Sequence, residues 1–335
     1  MGASEPTLIK EETQAESAHH EVIKMNIPDT SKPRLVIIGG GFAGIELIKA
    51  VADQQIFQIV LFDKHNYHTF QPLLYQVATA GLEPDSIAAP LRRIFKGYKD
   101  LYFRMAKVNK INPSQNCIDT TIGELRYDYL VIATGSKTNF FGNEELKKKC
   151  FPMKQLPQAL DLRSKILQNF ERALLSDSAE ERSSYLNIVI VGGGPTGVEL
   201  AGALSELRKH VLPKDLPELD FKQMKIILIE SGPKLLGPMS ENASKKAYEY
   251  LNDFGVDLFL GVSVKGYDGY KVSLSDGTAL YAQTVIWAAG VTGSTIEGIG
   301  PDAIKGGRYL VDGYNKINGH ENIFAVGDIA TMITS

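Results

Sequence analysis

The chain has 335 residues, 44% of them apolar and 22% charged, with 36 Lys and Arg set against 39 Asp and Glu. That length allows two domains with proper cores, the composition is ordinary for a globular protein, and a net charge of −3 gives no footprint for nucleic acid. The two cysteines, Cys117 and Cys150, exclude a disulfide framework and a C-x-x-C redox pair, and no stretch approaches the ~20 apolar residues of a membrane span.

Residues 1–31 are polar and carry neither the apolar core of a signal peptide nor the basic, acid-poor character of a transit peptide, so a disordered leader is expected. Met1-Gly2 lacks the Ser or Thr of a myristoylation signal, since Pro6 stands at that position. The first element is an apolar run, Leu35-Val36-Ile37-Ile38, that reads as a buried parallel strand. It leads into Gly39-Gly40-Gly41-Phe42-Ala43-Gly44 and then a helix-like stretch. In such a G-x-G-x-x-G turn the first glycine makes the bend, the second admits a pyrophosphate, and the third lets helix and strand pack closely. The helix N-terminus adds free N–H groups and a positive dipole end. A second strand, Gln58 to Asp63, ends in the acid expected ~20 residues on, where a ribose hydroxyl pair would bind. A cationic stretch follows, with Arg92, Arg93, Lys96, Lys99, Arg104, Lys107 and Lys110; a solvated face is the reading preferred over a lipid-binding one. Cys117 falls in a hairpin-like stretch, and Tyr127 to Gly135 reads as a strand ending in Ala133-Thr134-Gly135.

A linker is expected from Phe140 to Gln155, and a helix from Leu156 to Leu174 with Leu160, Ile166 and Leu167 among its apolar positions. The whole device then recurs. Ile188-Val189-Ile190-Val191 runs into Gly192-Gly193-Gly194-Pro195-Thr196-Gly197, and the strand Lys225 to Glu230 ends in an acid. The wider spacing to Glu230 reflects an insertion, Arg208 to Leu219, that contains Pro213 and Pro217. Val272 to Gly277 has an Asp-Gly hairpin signal, and Ala282 to Gly290 ends in Ala288-Ala289-Gly290. Gly307 to Asp312 and Asn322 to Asp328 read as further strands of the opening domain. Strand, glycines, helix and acid recur together, which argues for two bound dinucleotides and electron transfer between them.

On these residues the chain resembles the two-dinucleotide-binding-domain flavoproteins, the group that includes glutathione reductase. Within it the chain resembles the type II, non-proton-pumping NADH:quinone oxidoreductases. Phe70-Gln71-Pro72-Leu73-Leu74-Tyr75-Gln76-Val77-Ala78, Met153-Lys154 with Ala159 to Arg163, and Pro195 to Gly202 carry the closer likeness. The resemblance implies an α/β fold of two Rossmann-like domains, with the NADH domain inserted into the FAD domain. The expected layout is a leader over 1–31, FAD domain over 32–150, NADH domain over 151–295, and a return to the FAD domain over 296–335.

The resemblance assigns the first copy to FAD. Gly39, Gly41 and Gly44 would face its pyrophosphate with Phe42 and Ala43, Asp63 and Lys64 its adenosine ribose, Thr134 and Gly135 its length, and Asp328 its ribityl chain. It assigns the second copy to NADH, held by Gly192, Gly194, Pro195, Thr196 and Gly197, with Glu230 on the ribose and Ala289 and Gly290 alongside. A carboxylate at Glu230 disfavours a 2′-phosphate, although Lys234 lies close by in sequence. No metal site is expected, and neither His65 nor His68 has metal-ligand spacing.

Glu199, at the start of the second helix, is implied to act beside the nicotinamide in coupled electron and proton steps. The competing reading is a carboxylate offsetting the helix dipole, as Glu46 would in the first copy. Gln71, Pro72 and Tyr75 are implied to line the flavin and acceptor path, against a reading as loop packing. With no cysteine pair to reduce, the implied acceptor is a quinone; a ferredoxin-type protein acceptor and an apoptosis-inducing-factor-like NADH sensor are the alternatives. The resemblance further implies a peripheral membrane protein and leaves a homodimer open; the missing secretion signal favours the cytoplasmic side of a bacterial inner membrane, or a mitochondrial equivalent with an unusual leader. The family continues beyond the point matched by Ser335 into membrane-binding helices, so a C-terminally truncated chain is expected.

Overall fold

The computed structural model of the chain describes residues 25–333. Two five-stranded sheets organise it, and they match strand for strand. In the first, the order is Ile323–Ala325, Tyr129–Ile132, Arg34–Ile38, Gln58–Asp63, Leu101–Met105. In the second it is Phe151–Pro152, Thr284–Trp287, Ile188–Val191, Ile226–Glu230, Val256–Leu260. Every pairing within both sheets is parallel. The glycine-leading strand is central in each, with helices packed on one face and a three-stranded antiparallel sheet on the other, which is why Val36, Ile37, Val189 and Ile190 are all fully buried.

The duplication extends to the hairpins. Val108–Asn112, Cys117–Thr120 and Gly123–Arg126 form a three-stranded antiparallel sheet just before the strand that ends in Ala133. Val264–Tyr267, Lys271–Leu274 and Ala279–Tyr281 do the same before Ala288. Gly277 takes φ +90 in the Asp-Gly turn between the last two of these strands, a conformation that glycine adopts freely. Directly after each Ala-x-Gly, the chain passes between the sheets. Ser136–Thr138 and Val291–Gly293 run antiparallel as one two-stranded ribbon, so departure and return share a single crossing.

Three expectations need correction, and the expected helix after the linker is present. Of the leader, residues 1–24 lie outside the described residues, but residues 25–31 are not loose: Met25 and Ile27 pack on the first core, and Gln58 Nε2 donates to the Pro28 carbonyl at 2.8 Å. The linker is largely structured, since Glu144–Lys149 is a helix capped by Asn143 Oδ1 and anchored by buried Leu146. Six residues are too few to show a helical period, which is why the pattern reads as a break. The helix Leu156–Leu175 buries Leu156, Ala159, Leu162, Ile166, Phe170 and Ala173 at helical spacing and leaves Leu167 exposed. Gln155 and Gln158 close a capping box at its start. Phe170 meets Phe221 edge-on at 5.5 Å in the second core, and its truncation to Ala would cost about 3–5 kcal/mol. Finally, Arg308–Val311 joins a separate small sheet with Ile304–Lys305 and Ala330–Met332, while Ile323–Ala325 alone returns to the first sheet.

Candidate functional site: two glycine loops and a shared crossing

The two loops have the same backbone geometry. Gly39 and Gly192 adopt φ +112 and +115, and a Cβ on either would strike the peptide after the Ala-x-Gly strand: 2.3 Å from the Ala133 oxygen, 2.7 Å from the Ala288 carbon. The third glycines close the turn, with a Cβ on Gly44 only 2.0 Å from the Gly39 oxygen and one on Gly197 1.9 Å from the Gly192 oxygen. The second glycines are different. Gly41 and Gly194 cap the helices Phe42–Ala52 and Pro195–His210 and have nothing within 4 Å of a Cβ. That open space above a helix N-terminus is what a pyrophosphate needs. Pro195 opens its helix at the position where a missing N–H is harmless, and Thr196 sits beside it in the first turn.

The two acids also match. Gly40 N–H donates to Asp63 Oδ2 at 2.6 Å, and Gly193 N–H donates to Glu230 Oε2 at 2.6 Å. The other oxygen of each receives a second backbone N–H, from His65 at 2.8 Å and from Gly232 at 2.6 Å. Each carboxylate therefore clips its glycine loop to the next strand. The separation is 23 residues in the first copy and 37 in the second. The excess holds the short helix Leu212–Asp215, with Leu212 and Leu219 buried in the second core. Lys234 is ion-paired with Glu241, so its charge is compensated.

Above the first loop lies a cavity of ≈ 430 Å³. Gly39, Gly41, Phe42, Ala43, Asp63, Lys64, Thr134, Gly135 and Asp328 line it together with Gln71. Gly44 does not; it is buried beneath the turn. A side chain on Gly135 would meet nothing within 4 Å, so this wall too is a cradle that a Cβ would narrow. Asp328 is fixed by Ser136, whose Oγ donates to Oδ2 at 2.6 Å, and by Lys154 Nζ at 3.6 Å. Thr134 Oγ1 donates to the Ser294 carbonyl at 2.8 Å. Ser136, Lys154 and Ser294 line the cavity although none belongs to a glycine motif. Only Lys154 had a signal in the sequence, through the Met153-Lys154 segment.

The Phe70–Ala78 segment divides in two. Gln71 reaches the cavity, while Pro72 and Tyr75 do not line it. The helix Leu74–Ala78 packs on Leu156–Leu175 and Pro195–His210, and Tyr75 is half-buried against that core. Phe70 lies edge-on to Phe42 at 5.6 Å, and His68 lies edge-on to Phe42 at 4.8 Å with Nδ1 3.2 Å from the Gly40 oxygen. His65 stacks on Tyr67, and burial lowers its affinity for a proton.

The two helix-start glutamates are not equivalent. Glu46 pairs with Lys49 at 2.8 Å, but no ion pair reaches Glu199 among the described residues. Partial burial pushes the Glu199 carboxyl above the ordinary glutamate range. Ala289 and Gly290 follow Thr284–Trp287 at the carboxyl edge of the same sheet. Both thiols are buried, and burial raises each, Cys150 to about 12. Cys117 opens a strand of the first hairpin sheet, whereas Cys150 packs in the core around Trp287, so the two sit on different elements. The cationic stretch is also dispersed: Arg92 lies over the Phe103 ring at 5.1 Å, Arg104 over Tyr102 at 5.9 Å, and Lys110 faces Glu297 at 3.6 Å. Among the described residues, no His, Cys, Asp and Glu cluster fits a metal ion and no helix is long and apolar enough to cross a membrane.

The sequence pattern of the pyridine nucleotide-disulphide oxidoreductases matches residues 33–335. A type II NADH:quinone oxidoreductase of Mycobacterium tuberculosis is 33% identical over 315 residues, covering 89% of this chain and 67% of the relative. One from Staphylococcus aureus is 30% identical, covering 90% of this chain and 75% of its own length. The NDH2 structure from Plasmodium falciparum superposes with a TM-score of 0.84 at 24% identity, over 90% of this chain and 64% of that one. The chain thus spans about two thirds of the length of these relatives. Family pattern and relatives agree with the duplicated loops: the chain belongs to the pyridine nucleotide-disulphide oxidoreductases and, among them, to the type II NADH:quinone oxidoreductases.

Proposed function

We propose that the chain holds FAD at the first glycine loop and NADH at the second, and passes electrons from NADH through the flavin to a quinone. The observation that carries this reading is the strand-for-strand repetition of a complete dinucleotide site, with both acids clipped to their loops in the same way. The first cavity suits FAD because Gly41 and Gly135 leave room where any side chain would intrude, and because polar groups stand at both ends, Asp63 at one and Asp328 at the other. Bound there, the flavin supplies the hydride-accepting chemistry.

The protein's own groups orient and hold charge. Residues 32–138 with 294–333 supply the FAD side, and 139–293 the NADH side, since Phe140, Leu146 and Cys150 pack with the second sheet. Asp63 and Glu230 receive ribose hydroxyls while keeping their loops in register. Ser136 and Lys154 hold Asp328 for the ribityl chain, and Gln71 borders the cavity near them. Among the described residues no ion pair reaches Glu199, and it binds its proton more tightly than an ordinary glutamate, which suits a group that takes up and returns a proton beside the nicotinamide. Glu230 favours NADH over NADPH by repulsion of a 2′-phosphate, and Lys234 is engaged by Glu241.

A quinone acceptor follows from the relatives' activity and from the inert thiols. A disulfide-reducing route needs an adjacent cysteine pair, and Cys117 and Cys150 are buried apart. The working site is then a membrane surface, at the face supplied with NADH, the cytoplasmic face in a bacterium. Steady-state turnover separates the readings. NADH oxidation coupled to a water-soluble quinone, with little rate from NADPH, is expected; turnover with a ferredoxin-type protein and none with quinone would overturn the assignment.

A further inference from the structure

The crossing between the sheets contains one residue whose conformation its surroundings do not require for packing. Phe141 adopts φ +51, a left-handed conformation unusual for a bulky side chain. A glycine stands immediately beside it, Gly142 at φ +79, so a freer residue is already part of the same turn. The turn is firmly built. Phe141 N–H donates to Asn139 Oδ1 at 2.8 Å, Trp287 Nε1 donates to the Asn139 carbonyl at 2.9 Å, and Asn139 N–H donates to the Gly290 carbonyl at 3.2 Å. Phe140 points inward and stacks on Trp287 at 5.3 Å. Phe141 points outward, with 68% of its surface exposed, so it adds little to the core. Strain held at a residue that does not serve packing is a reason to look for a ligand role.

The ring has a definite place. A Cβ on Gly290 would lie 2.7 Å from Phe141 Cζ, so the ring rests directly over that glycine. In the first copy the corresponding residue is Gly135, which lines the FAD cavity and has nothing within 4 Å of its Cβ position. The two sites therefore match at the glycines and acids but differ here: one leaves the space over Ala-x-Gly open, the other walls it with an aromatic ring.

Sheet order says which half of the ligand meets that wall. A dinucleotide lies across the carboxyl ends of the strands. Glu230 marks the adenosine end, Gly192 to Gly197 the pyrophosphate, and Ala289-Gly290, on the opposite side of the Ile188–Val191 strand, the remaining half. We infer that Phe141 is a binding residue for the nicotinamide half of NADH, an aromatic wall over Gly290 against which the nicotinamide riboside packs. The inference rests on the reading that the second loop holds NADH. It gives the strained turn a purpose, because the ring offers apolar area with few rotatable bonds where the ligand must be directed toward the crossing.

Calorimetric titration with NAD+, which the oxidised protein does not turn over, and with ADP, which lacks the nicotinamide riboside, tests it. F141A is expected to weaken NAD+ by roughly five- to tenfold while leaving ADP unchanged, and F141Y to keep wild-type affinity for both. F141G provides the second arm. It is expected to weaken NAD+ as F141A does and yet to unfold about 1 °C above F141A, because glycine adopts the left-handed conformation without strain. NAD+ binding in F141A that is as tight as or tighter than wild type, or an equal loss of NAD+ and ADP, overturns the inference while the NADH reading stands. A wild-type chain that binds neither ligand overturns the reading and the inference together.

Discussion

Replacing the second or the third glycine of one loop by alanine should have opposite consequences. At Gly197 an added Cβ would lie 1.9 Å from the Gly192 oxygen, against an ordinary contact of 3.4 Å or more, so about 1.5 Å must be opened by difference. The atom that must move is backbone, in a turn fixed by the Gly192 N–H bond to the Ile229 carbonyl at 2.8 Å, so a rotamer change gives no relief. G197A should then fall at the upper end of overpacking costs, about 3 kcal/mol. For a chain of this size that corresponds to a loss of about 4 °C in Tm. At Gly194 the backbone is extended, φ −75 and ψ −178, and a Cβ meets nothing within 4 Å. G194A should lose no more than about 1 kcal/mol, the difference between glycine and alanine as a helix N-cap. The methyl group instead enters the space for the pyrophosphate, and NAD+ should bind about tenfold more weakly, equivalent to ~1.4 kcal/mol. Thermal denaturation and calorimetric titration of both variants decide the matter. Equal stability losses in G194A and G197A, or undiminished NAD+ affinity in G194A, would refute the division of roles.

Other substitutions probe the remaining parts. Because burial raises the Glu199 carboxyl, the folded state binds its proton more tightly than the unfolded chain does, so ionisation of Glu199 opposes folding; that cost is absent below the unfolded glutamate pKa and complete above the raised one. E199Q should therefore lose less stability than wild type as pH rises from about 4 to about 7, seen in urea midpoints. It should also remove from the NADH oxidation profile an ionisation above the ordinary glutamate range. D328A gives up the contacts to Ser136 and Lys154 and should lose most of its FAD on purification, read as the ratio of flavin to protein absorbance, while circular dichroism stays native. Burial pushes Cys150 up to about 12 and raises Cys117, which disfavours a reactive thiolate at either, so a C117S/C150S double variant should keep quinone reductase activity, and iodoacetamide should leave the folded wild type unmodified by mass spectrometry. Loss of turnover in that variant with the fold intact would restore a thiol route.

The two loops were legible because several levels of the sequence agree on them: a continuous apolar run, glycines at fixed spacing, and an acid ending the next strand. Burial of Val36 and Val189, the turns at Gly39 and Gly192, and the clips from Asp63 and Glu230 all follow from those local signals. Residues brought in by the tertiary crossing were not legible. Ser136 meets Asp328 across 192 residues, and a serine carries no periodic or compositional mark. The Glu144–Lys149 helix was hidden by its length and by lysines that read as a linker. Tyr75 was set beside the flavin through its neighbours in sequence, whereas one helical turn carries it from the cavity to the second core. Glu199 and Glu46 look alike in the motif and are told apart only by Lys49, one turn on.

The most direct test of electron flow from NADH through the flavin to quinone is a visible spectrum of the purified, FAD-loaded chain, titrated anaerobically with NADH and then with a water-soluble quinone. The flavin band should bleach with one equivalent of NADH per flavin and return when quinone is added. A band that bleaches and stays bleached in excess quinone, or one that NADH leaves unchanged, would contradict the proposed function.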